Sequence, residues 1–256
     1  MVLIRAGNPS LWTGATGNNT YLLNGAAPAL VDAGVGNAVH LRAVEEGLQG
    51  APLAAVLITH GHRDHTAGLP ALLDRWPGAR VRNAGGDAFT DGELVAAGDS
   101  LLQAVHTPGH APDHFCFLDD ATGDVYCGDL ARLGGTIVIP ASAGGNLADY
   151  LASLRRIRAI NPKRLLPGHG PVIDDPAALI DSYLEHRHER EQQVLNALAE
   201  GCRSPDEIVR RVYGRQADTL ARAAADSVLA HLIKLRDEGR AAEADGEWRA
   251  ALPNGE

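Results

Sequence analysis

The chain is poor in aromatic residues and has no excess of basic charge. Only 11 of its 256 residues are Phe, Tyr or Trp, and 23 Lys and Arg side chains face 32 Asp and Glu, for a formal net charge of −9. Phosphate neutralisation by Lys and Arg supplies most of the non-specific affinity of proteins for nucleic acids, and single strands stack on aromatic side chains. The composition therefore argues against a general nucleic-acid-binding protein.

Cysteine is scarce, and long apolar runs are missing. Cys116, Cys127 and Cys202 are widely spaced and odd in number, which fits reduced thiols better than a disulfide framework. No segment approaches the roughly 18 to 20 consecutive apolar residues that span a membrane, and the apolar run at residues 2–4 is too short for a signal peptide. We expect a cytoplasmic protein with no membrane association.

Histidine and aspartate are concentrated in one short segment. His60, His62, Asp64 and His65 place three imidazoles and a carboxylate within six residues, directly after the apolar run Ala55–Ile58. A solvated loop can carry one or two histidines without a function, but a His-x-His-x-Asp-His register rarely arises by chance. Imidazole and carboxylate are ligands for zinc, iron and manganese. The segment therefore predicts the metal site of a hydrolase.

Three later segments repeat this design of an apolar run, a Gly or Pro, and one ligand-type side chain. His110 ends the motif Thr-Pro-Gly-His, Asp129 follows Gly128, and His169 lies inside the motif Pro-Gly-His-Gly. Glycine and proline beside a ligand let the backbone turn sharply at the end of a strand. Because strand ends can converge on one rim, we expect these three side chains to complete the metal site.

Taken in order, the four motifs resemble those of the metallo-β-lactamase superfamily over roughly residues 16–175. The resemblance implies an α/β fold, an αββα metallo-β-lactamase sandwich with a dinuclear site at one edge. The site would bind two divalent metal ions, with zinc (Zn2+) as the first candidate and iron or manganese as alternatives. The resemblance assigns His60, His62 and His110 to the first ion, Asp64, His65 and His169 to the second, and Asp129 to a bridge between them.

This ligand set agrees with the chemistry of hydrolysis. Two divalent ions about 3.5–4 Å apart hold a shared water, lower its pKa, and stabilise the oxyanion that forms when the bridging hydroxide attacks a carbonyl or phosphoryl centre. Asp64 has a second role as the catalytic carboxylate, which orients the hydroxide and accepts a proton. A noncatalytic binding module is disfavoured, because no residue needed for the dinuclear site is missing.

The other histidines are weaker candidates. His114 orients a ligand through a hydrogen bond, binds the metal directly, or is purely structural, and we favour the first of these. His106 either approaches the substrate or packs in a strand. Four more lie on segments with helical periodicity, and we interpret them as solvent-facing or packing residues without partners: His40, His186, His188 and His231.

The periodicity of the first half predicts a layered α/β arrangement. Two strand-like runs, Tyr21–Leu23 and Ala29–Asp32, flank the hairpin signal Asn24-Gly25. A helix follows from about Gly36 to Leu48, and the metal-binding segment then follows a strand. A second helix over Ala67–Trp76 and several short strands complete this part, so we expect a catalytic domain at residues 1–175.

From about residue 175 the pattern becomes helical. Pro176–Ala199 and Leu220–Glu238 have helical periodicity, Ser204–Glu207 reads as a capping box, and Asp245-Gly246 is a hairpin signal. Three helices followed by a two-stranded turn are typical of a winged helix. We therefore predict a helical, winged-helix-like C-terminal domain at residues 176–256.

With this C-terminal segment, the chain resembles the β-lactamase-like protein 2 subgroup. That subgroup is similar both to mitochondrial single-strand endoribonucleases and to stand-alone thioesterases of polyketide chains, so the resemblance leaves the substrate open. The acidic balance and the few aromatics favour a thioester or related small ester, such as an acyl-CoA, an acyl-glutathione or a carrier-bound acyl group. RNA is the alternative substrate, and β-lactam hydrolysis is less favoured.

Two basic clusters bear on this choice. One comprises Arg155, Arg156, Arg158, Lys163 and Arg164, and the other lies in residues 201–240, with eight basic and six acidic side chains. Such runs usually form a solvated helix face, and a phosphate-binding groove is the alternative. We expect the C-terminal segment to form one wall of the substrate cleft, with Arg210, Arg211 and Arg215 facing an anionic substrate.

Overall fold

The computed structural model describes residues 1–83, 86–214 and 221–251. Two five-stranded sheets form its centre. The first sheet contains, side by side in chain order, β1 (Val2–Arg5), β2 (Asn19–Leu23), β3 (Ala29–Val31), β4 (Ala55–Leu57) and β5 (Arg80–Arg82). The second contains, from one edge to the other, β6 (Leu94–Ala97), β7 (Ser100–His106), β8 (Phe115–Asp119), β9 (Asp124–Gly128) and β10 (Arg164–Pro167).

Both sheets are mixed. In the first, β3, β4 and β5 pair in parallel, while β1, β2 and β3 pair antiparallel. In the second, β9 and β10 are parallel and the other pairs are antiparallel. The antiparallel β2–β3 pair confirms the hairpin predicted around Asn24-Gly25.

Side chains alternate between the two faces of each strand, and this alternation separates the core into layers. Phe117 of β8 and Tyr126 of β9 lie in the cluster between the sheets, together with Leu57 of β4. Their neighbours Cys116 and Val125 belong to a different cluster on the other face of the second sheet.

Helices cover the outer faces of both sheets. These helices are α1 (Ala38–Leu48), α3 (Leu69–Arg75), α4 (Leu147–Ile160) and α5 (Pro176–Ala199), while the four-residue helix α2 (Arg63–Thr66) follows β4 and carries Asp64 and His65. Val44 of α1 and Leu72 of α3 pack in one cluster with Val56 of the first sheet. Leu154 of α4 and Ile180 of α5 pack with the outer face of the second sheet. The layers therefore run α, β, β, α, which confirms the expected sandwich.

The C-terminal part has its own core. It contains α6 (Pro205–Tyr213), α7 (Ala221–Asp237), β11 (Ala241–Ala244) and β12 (Glu247–Ala250). Both hydrogen bonds of the predicted capping box are present between Ser204 and Glu207. Asp245 and Gly246 take φ values of 53° and 78°, as a tight hairpin with two left-handed residues requires. These features confirm the winged-helix pattern, although the predicted helix start at Leu220 lies outside the described residues.

Helix α5 connects the two parts. Ile180 and Tyr183 in its first half belong to the cluster of the second sheet. Val194 and Leu198 in its second half pack with residues of α6 and α7. We propose the division at residues 175 and 176, where Asp175 caps the helix by accepting the N–H of Ala178 at 3.0 Å.

Several elements are not expected from the sequence, among them the four-residue helix α2, which the sequence pattern leaves in the metal-binding segment. Strands β1 and β6 are short and lie at sheet edges, and the sequence pattern marks α4 only as a basic run. Most of the charge in that run is paired, since Arg156 contacts Asp91 and Arg158 contacts Asp181. None of the helices in the described part of the chain is both long enough and apolar enough to cross a membrane.

Candidate metal centre

Four loops at strand ends bring the ligand-type side chains together. His60 follows β4, His110 follows β7, Asp129 follows β9 and His169 follows β10. Each of the four residues is buried or nearly so, with 8% or less of its surface exposed. The convergence expected from the motifs is therefore present in the structure.

The first group consists of three histidines. The Nδ1 atom of His62 lies 3.0 Å from Nε2 of His60 and 2.9 Å from Nε2 of His110. Their ligand atoms all lie within 4.8 Å of one another, so these three rings could hold one ion.

The second group consists of Asp64, His65 and His169, whose ligand atoms also lie within 4.8 Å of one another. Oδ2 of Asp64 is 3.3 Å from Nε2 of His169 and 3.6 Å from Nε2 of His65. Asn18 donates to the same carboxylate oxygen at 3.0 Å. This hydrogen bond holds the Asp64 side chain in place, although 33% of its surface is exposed.

Asp129 lies between the two groups. Its Oδ1 atom is 3.2 Å from Nε2 of His169 and 3.5 Å from Nε2 of His65, while its Oδ2 atom is 3.5 Å from Nε2 of His110. One carboxylate therefore presents a different oxygen to each group.

The polar atoms of this cluster fit a cation better than they fit one another. Among the described residues, Nε2 of His65 and Oδ1 of Asp129 are buried without a hydrogen-bond partner, an arrangement that is costly unless another group satisfies them. Burial lowers the pKa of His60 well below its usual value, and burial also lowers the pKa of His110. Both rings are therefore neutral near pH 7, the form that binds a metal.

Asp32 supports the centre from behind. Its Oδ2 atom lies 2.7 Å from Nδ1 of His65, and its carboxylate accepts the N–H of Thr59 at 2.8 Å and the Thr59 hydroxyl at 3.0 Å. A carboxylate on the far nitrogen of a ligating histidine fixes the ring and its tautomer. The sequence pattern predicts only the end of a strand at Asp32. An acid directly after an apolar strand is the signal that could have indicated this role.

His114 holds the backbone of Asp129. Its Nε2 atom accepts the N–H of Asp129 at 3.1 Å, so the ring proton of this neutral imidazole is on Nδ1, which lies 2.9 Å from the Thr107 hydroxyl. These contacts favour the orienting role over the purely structural one. His106, by contrast, packs on Phe115 with ring centroids 4.8 Å apart and lies 3.0 Å from the carbonyl of Pro112, so it is structural.

Two glycines keep the centre open. A Cβ on Gly168 would lie 2.7 Å from Cε1 of His65 and 3.0 Å from Oδ1 of Asp129. A Cβ on Gly128, which has a φ of 46°, would lie 2.8 Å from Nε2 of His114. Only a residue without a side chain lets the backbone approach the ligands this closely.

Comparison with known proteins agrees with this geometry. Residues 13–89 and 81–169 match the model of the metallo-beta-lactamase superfamily, and residues 204–248 match the beta-lactamase associated winged helix domain. The chain belongs to the metallo-beta-lactamase superfamily. Its members are generally hydrolases, and this chain is a hydrolase of that superfamily.

Individual members of the metallo-beta-lactamase superfamily match most of the chain. A beta-lactamase-like protein 2 homolog from Caenorhabditis elegans is 32% identical over 91% of this chain and 82% of its own. An atrochrysone carboxyl ACP thioesterase from Aspergillus fumigatus is 32% identical over 84% of this chain and 74% of its own. A metallo-beta-lactamase family protein of known structure from Thermus thermophilus has the same fold, with a TM-score of 0.79, 24% identity, and coverage of 97% and 98%.

A cleft of about 810 Å³ opens over the centre of this metallo-beta-lactamase domain. Its lining includes His62, Asp64 and His169 of the centre and residues of the C-terminal helices, among them Arg190 of α5 and Tyr213 of α6. The expectation that the C-terminal segment walls the cleft is therefore met.

Two of the three arginines predicted to face the substrate do not line the described part of the cleft. Arg210 and Arg211 are absent from the described lining of the cleft, and Arg211 is paired with Glu200 at 2.6 Å. Arg215 lies outside the described residues. Within the described residues, the arginines that line the cleft are Arg132, Arg187, Arg190 and Arg222.

Two histidines interpreted as having no partners are bonded and buried. Nε2 of His40 lies 2.9 Å from the Thr20 hydroxyl, and Nδ1 of His231 lies 2.7 Å from the carbonyl of Ser227. Neither exposes any surface. His188 is exposed, as one of the two interpretations had it.

Proposed function

We propose that this hydrolase binds two divalent metal ions and hydrolyses a thioester or a related small ester. The observation that carries the proposal is Asp129, whose two carboxylate oxygens face two separate groups of ligand-type side chains. His60, His62 and His110 would hold one ion, and Asp64, His65 and His169 the other. Zinc is our first candidate, with iron and manganese as alternatives, because all three accept imidazole and carboxylate ligands.

Two bound ions would lower the pKa of a shared water and stabilise the oxyanion of the attacked carbonyl. The chain itself supplies the proton acceptor. Asp64 is held by Asn18 and reaches the cleft. Burial works to raise the pKa of Asp64, but the hydrogen bonds that its carboxylate accepts, including that from Asn18, outweigh burial, so its pKa lies below the usual value. Asp64 is therefore ionised at neutral pH and can accept a proton from the attacking water.

The cleft suits an acyl group. Its wall beside the metal centre includes Ile137 and Val138, and Leu11 and Trp12 lie at its rim with 68% and 53% of their surfaces exposed. Exposed apolar residues beside a reactive centre favour an apolar substrate portion. The thioesterase relative in Aspergillus fumigatus supports a carrier-bound acyl substrate, and acyl-CoA and acyl-glutathione belong to the same chemical class.

Single-strand RNA is the second candidate, because arginines line the cleft. We place it below the thioester because the chain has few aromatic side chains on which bases could stack, and because its net charge is −9. β-Lactam hydrolysis is the least favoured activity.

The decisive experiment is a parallel screen of metal-analysed protein on acyl-CoA, acyl-glutathione and short RNA. We expect thioester turnover that Asp64→Asn and His110→Ala abolish and that Asp74→Asn, at an exposed position of α3, leaves intact. The kcat/KM for the thioester should fall only modestly with salt, whereas RNA affinity would fall with a log-log slope of about −0.7 per phosphate contact. RNA cleavage with a steep slope, and no thioester turnover above the Asp64→Asn blank, would contradict the proposal.

A further inference from the structure

The cleft is lined by arginines that have no role in the proposed hydrolytic centre. Arg132, Arg187, Arg190 and Arg222 all line it. Among the described lining residues, the carboxylates are Asp64 and Asp129 of the metal centre, and Asp226. The carboxylate of Asp226 accepts from the Ser142 hydroxyl at 2.7 Å and from the Ser142 N–H at 3.3 Å.

Arg190 is the best-placed of these cations. Its guanidinium lies over the ring of Tyr213, 4.1 Å from the centroid, and the Tyr213 hydroxyl is fixed by a 2.8 Å hydrogen bond to Ser227. Within the described chain, Nε of Arg190 is buried and has no hydrogen-bond acceptor. A guanidinium that is held by stacking and lines an open cleft is positioned for an incoming planar or tetrahedral anion.

Arg132 also lines the cleft and also has a buried nitrogen without a hydrogen-bond partner among the described residues. Its Nη1 atom donates to the carbonyl of Trp12 at 2.8 Å, while its Nε atom is buried without a partner in the part of the chain that the structure describes. The Tyr183 hydroxyl lies 2.6 Å from the carbonyl of Arg132, which anchors this loop to α5. Arg132 is therefore a fixed cation.

Arginines on the outer surface, in contrast, are paired with carboxylates. Arg211 is bidentate with Glu200, and Arg158 is bidentate with Asp181. In the described chain, neither Arg132 nor Arg190 has a carboxylate within 4.0 Å, although acids outnumber bases overall. An unpaired cation in a cleft favours an anionic ligand, and guanidinium binds phosphate through paired, charge-assisted hydrogen bonds.

We propose that Arg190 and Arg132, together with Arg222 of the same cleft lining, form a subsite for the phosphate of a phosphopantetheine thioester. This inference rests on the proposed thioesterase function and narrows its substrate. A carrier-bound acyl group and an acyl-CoA share a phosphate at the end of the pantetheine arm, whereas acyl-glutathione has none. The subsite therefore selects phosphopantetheine thioesters over glutathione thioesters.

The test uses ligands that differ only in that phosphate and that cannot be hydrolysed. Metal-replete, full-length protein is titrated calorimetrically with the S-methyl thioethers of 4′-phosphopantetheine and of pantetheine. We expect the phosphorylated thioether to bind at least about tenfold more tightly than the pantetheine thioether, because a charge-assisted hydrogen bond to the phosphate contributes about that much affinity. Arg190→Gln and Arg132→Gln should each reduce this preference to less than about threefold. Arg211→Gln, a matched change outside the cleft, should keep the wild-type preference.

Equal binding of the two thioethers, no measurable binding of either, or an unchanged preference in Arg190→Gln overturns the inference. A short RNA that binds more tightly than the phosphorylated thioether, in an Arg190-dependent manner, reassigns the subsite to RNA. Because binding is read without turnover, the result is independent of hydrolysis. A clear phosphate preference without thioester turnover leaves the subsite standing while the proposed function fails.

Discussion

Asp32 and His65 form a buried pair in which the carboxylate oxygen Oδ2 lies 2.7 Å from the ring nitrogen Nδ1. Because Nδ1 is held in this way, Nε2 of His65 points into the metal centre, where it meets Asp64 and Asp129. The carboxylate of Asp32 also holds Thr59, the residue before His60. One buried acid therefore orients parts of both ligand groups.

The first prediction concerns this acid. Asp32→Asn keeps the size of the side chain but removes its charge, so His65 should lose its orientation and part of its basicity. We expect metal affinity to fall by about 10- to 100-fold, as for other partners of ligating histidines. Competition titration with a chromophoric zinc chelator measures this. Asp74→Asn is the exposed control, and an unchanged affinity in Asp32→Asn would mean that the pair is only structural.

The second prediction concerns stoichiometry. Elemental analysis of metal-replete protein should find close to two ions per chain. Asp129→Ala removes the carboxylate that faces both groups, so the ratio should fall to one ion or fewer, and thioester turnover should be lost. His188→Ala, at an exposed position of α5, should keep two ions. A fully active protein with no more than one ion would rule out the dinuclear centre.

The third prediction concerns the space beside the ligands. In Gly168→Ala the new Cβ would lie 2.7 Å from His65 and 3.0 Å from Asp129, so these ligands must shift. We expect metal affinity and turnover to fall at least about tenfold, because small displacements of reacting groups are costly. Gly78→Ala is the control, since no atom lies within 4 Å of its Cβ position. Equal activity of the two variants would show that the centre adapts to the methyl group.

The fourth prediction concerns acid stability. Burial lowers the pKa of His231 to about 4, below the usual value of 6.5. Between these two pH values the unfolded chain binds more protons at this residue than the folded chain does, so its contribution to stability is lost as the pH falls through this range. The total loss by pH 4 is on the order of 3 kcal/mol.

Urea unfolding at a series of pH values checks this prediction. Wild type and His231→Gln share the metal centre, so its pH dependence cancels in their difference. The unfolding free energy of wild type relative to His231→Gln should decline steadily from pH 7 to pH 4. A difference that does not change with pH would mean that His231 keeps its usual pKa in the folded protein. His188→Gln, at an exposed position, serves as the control.

Local patterns are sufficient to predict much of this protein. The strand before His60, the glycines beside Asp129 and His169, and the Asp245-Gly246 turn each depend on a few consecutive residues. Backbone geometry and ligand chemistry act over that short range. The order of the four motifs carried the family resemblance that implies the αββα sandwich. The capping box at Ser204 predicted the start of α6.

Other features depend on contacts between distant parts of the chain. The short edge strands β1 and β6 carry weak local signals, since Val2–Arg5 becomes a strand only when it pairs with β2. The sequence leaves His40 and His231 open between a solvent-facing and a packing role, and the packing of their helices buries both. No pattern within α5 or α6 indicates that Arg190 faces the cleft while Arg211 faces Glu200.

The sequence by itself determined which residues could bind metal, because each ligand lies in a short motif whose chemistry is local. The tertiary structure decided which oxygen of Asp129 faces which histidine, that Asp32 stands behind His65, and which arginines face the cleft. Asp32 and His65 are 33 positions apart, and Arg190 and Arg132 are on different elements. Such pairs are set by how the layers pack, and packing depends on the whole chain at once.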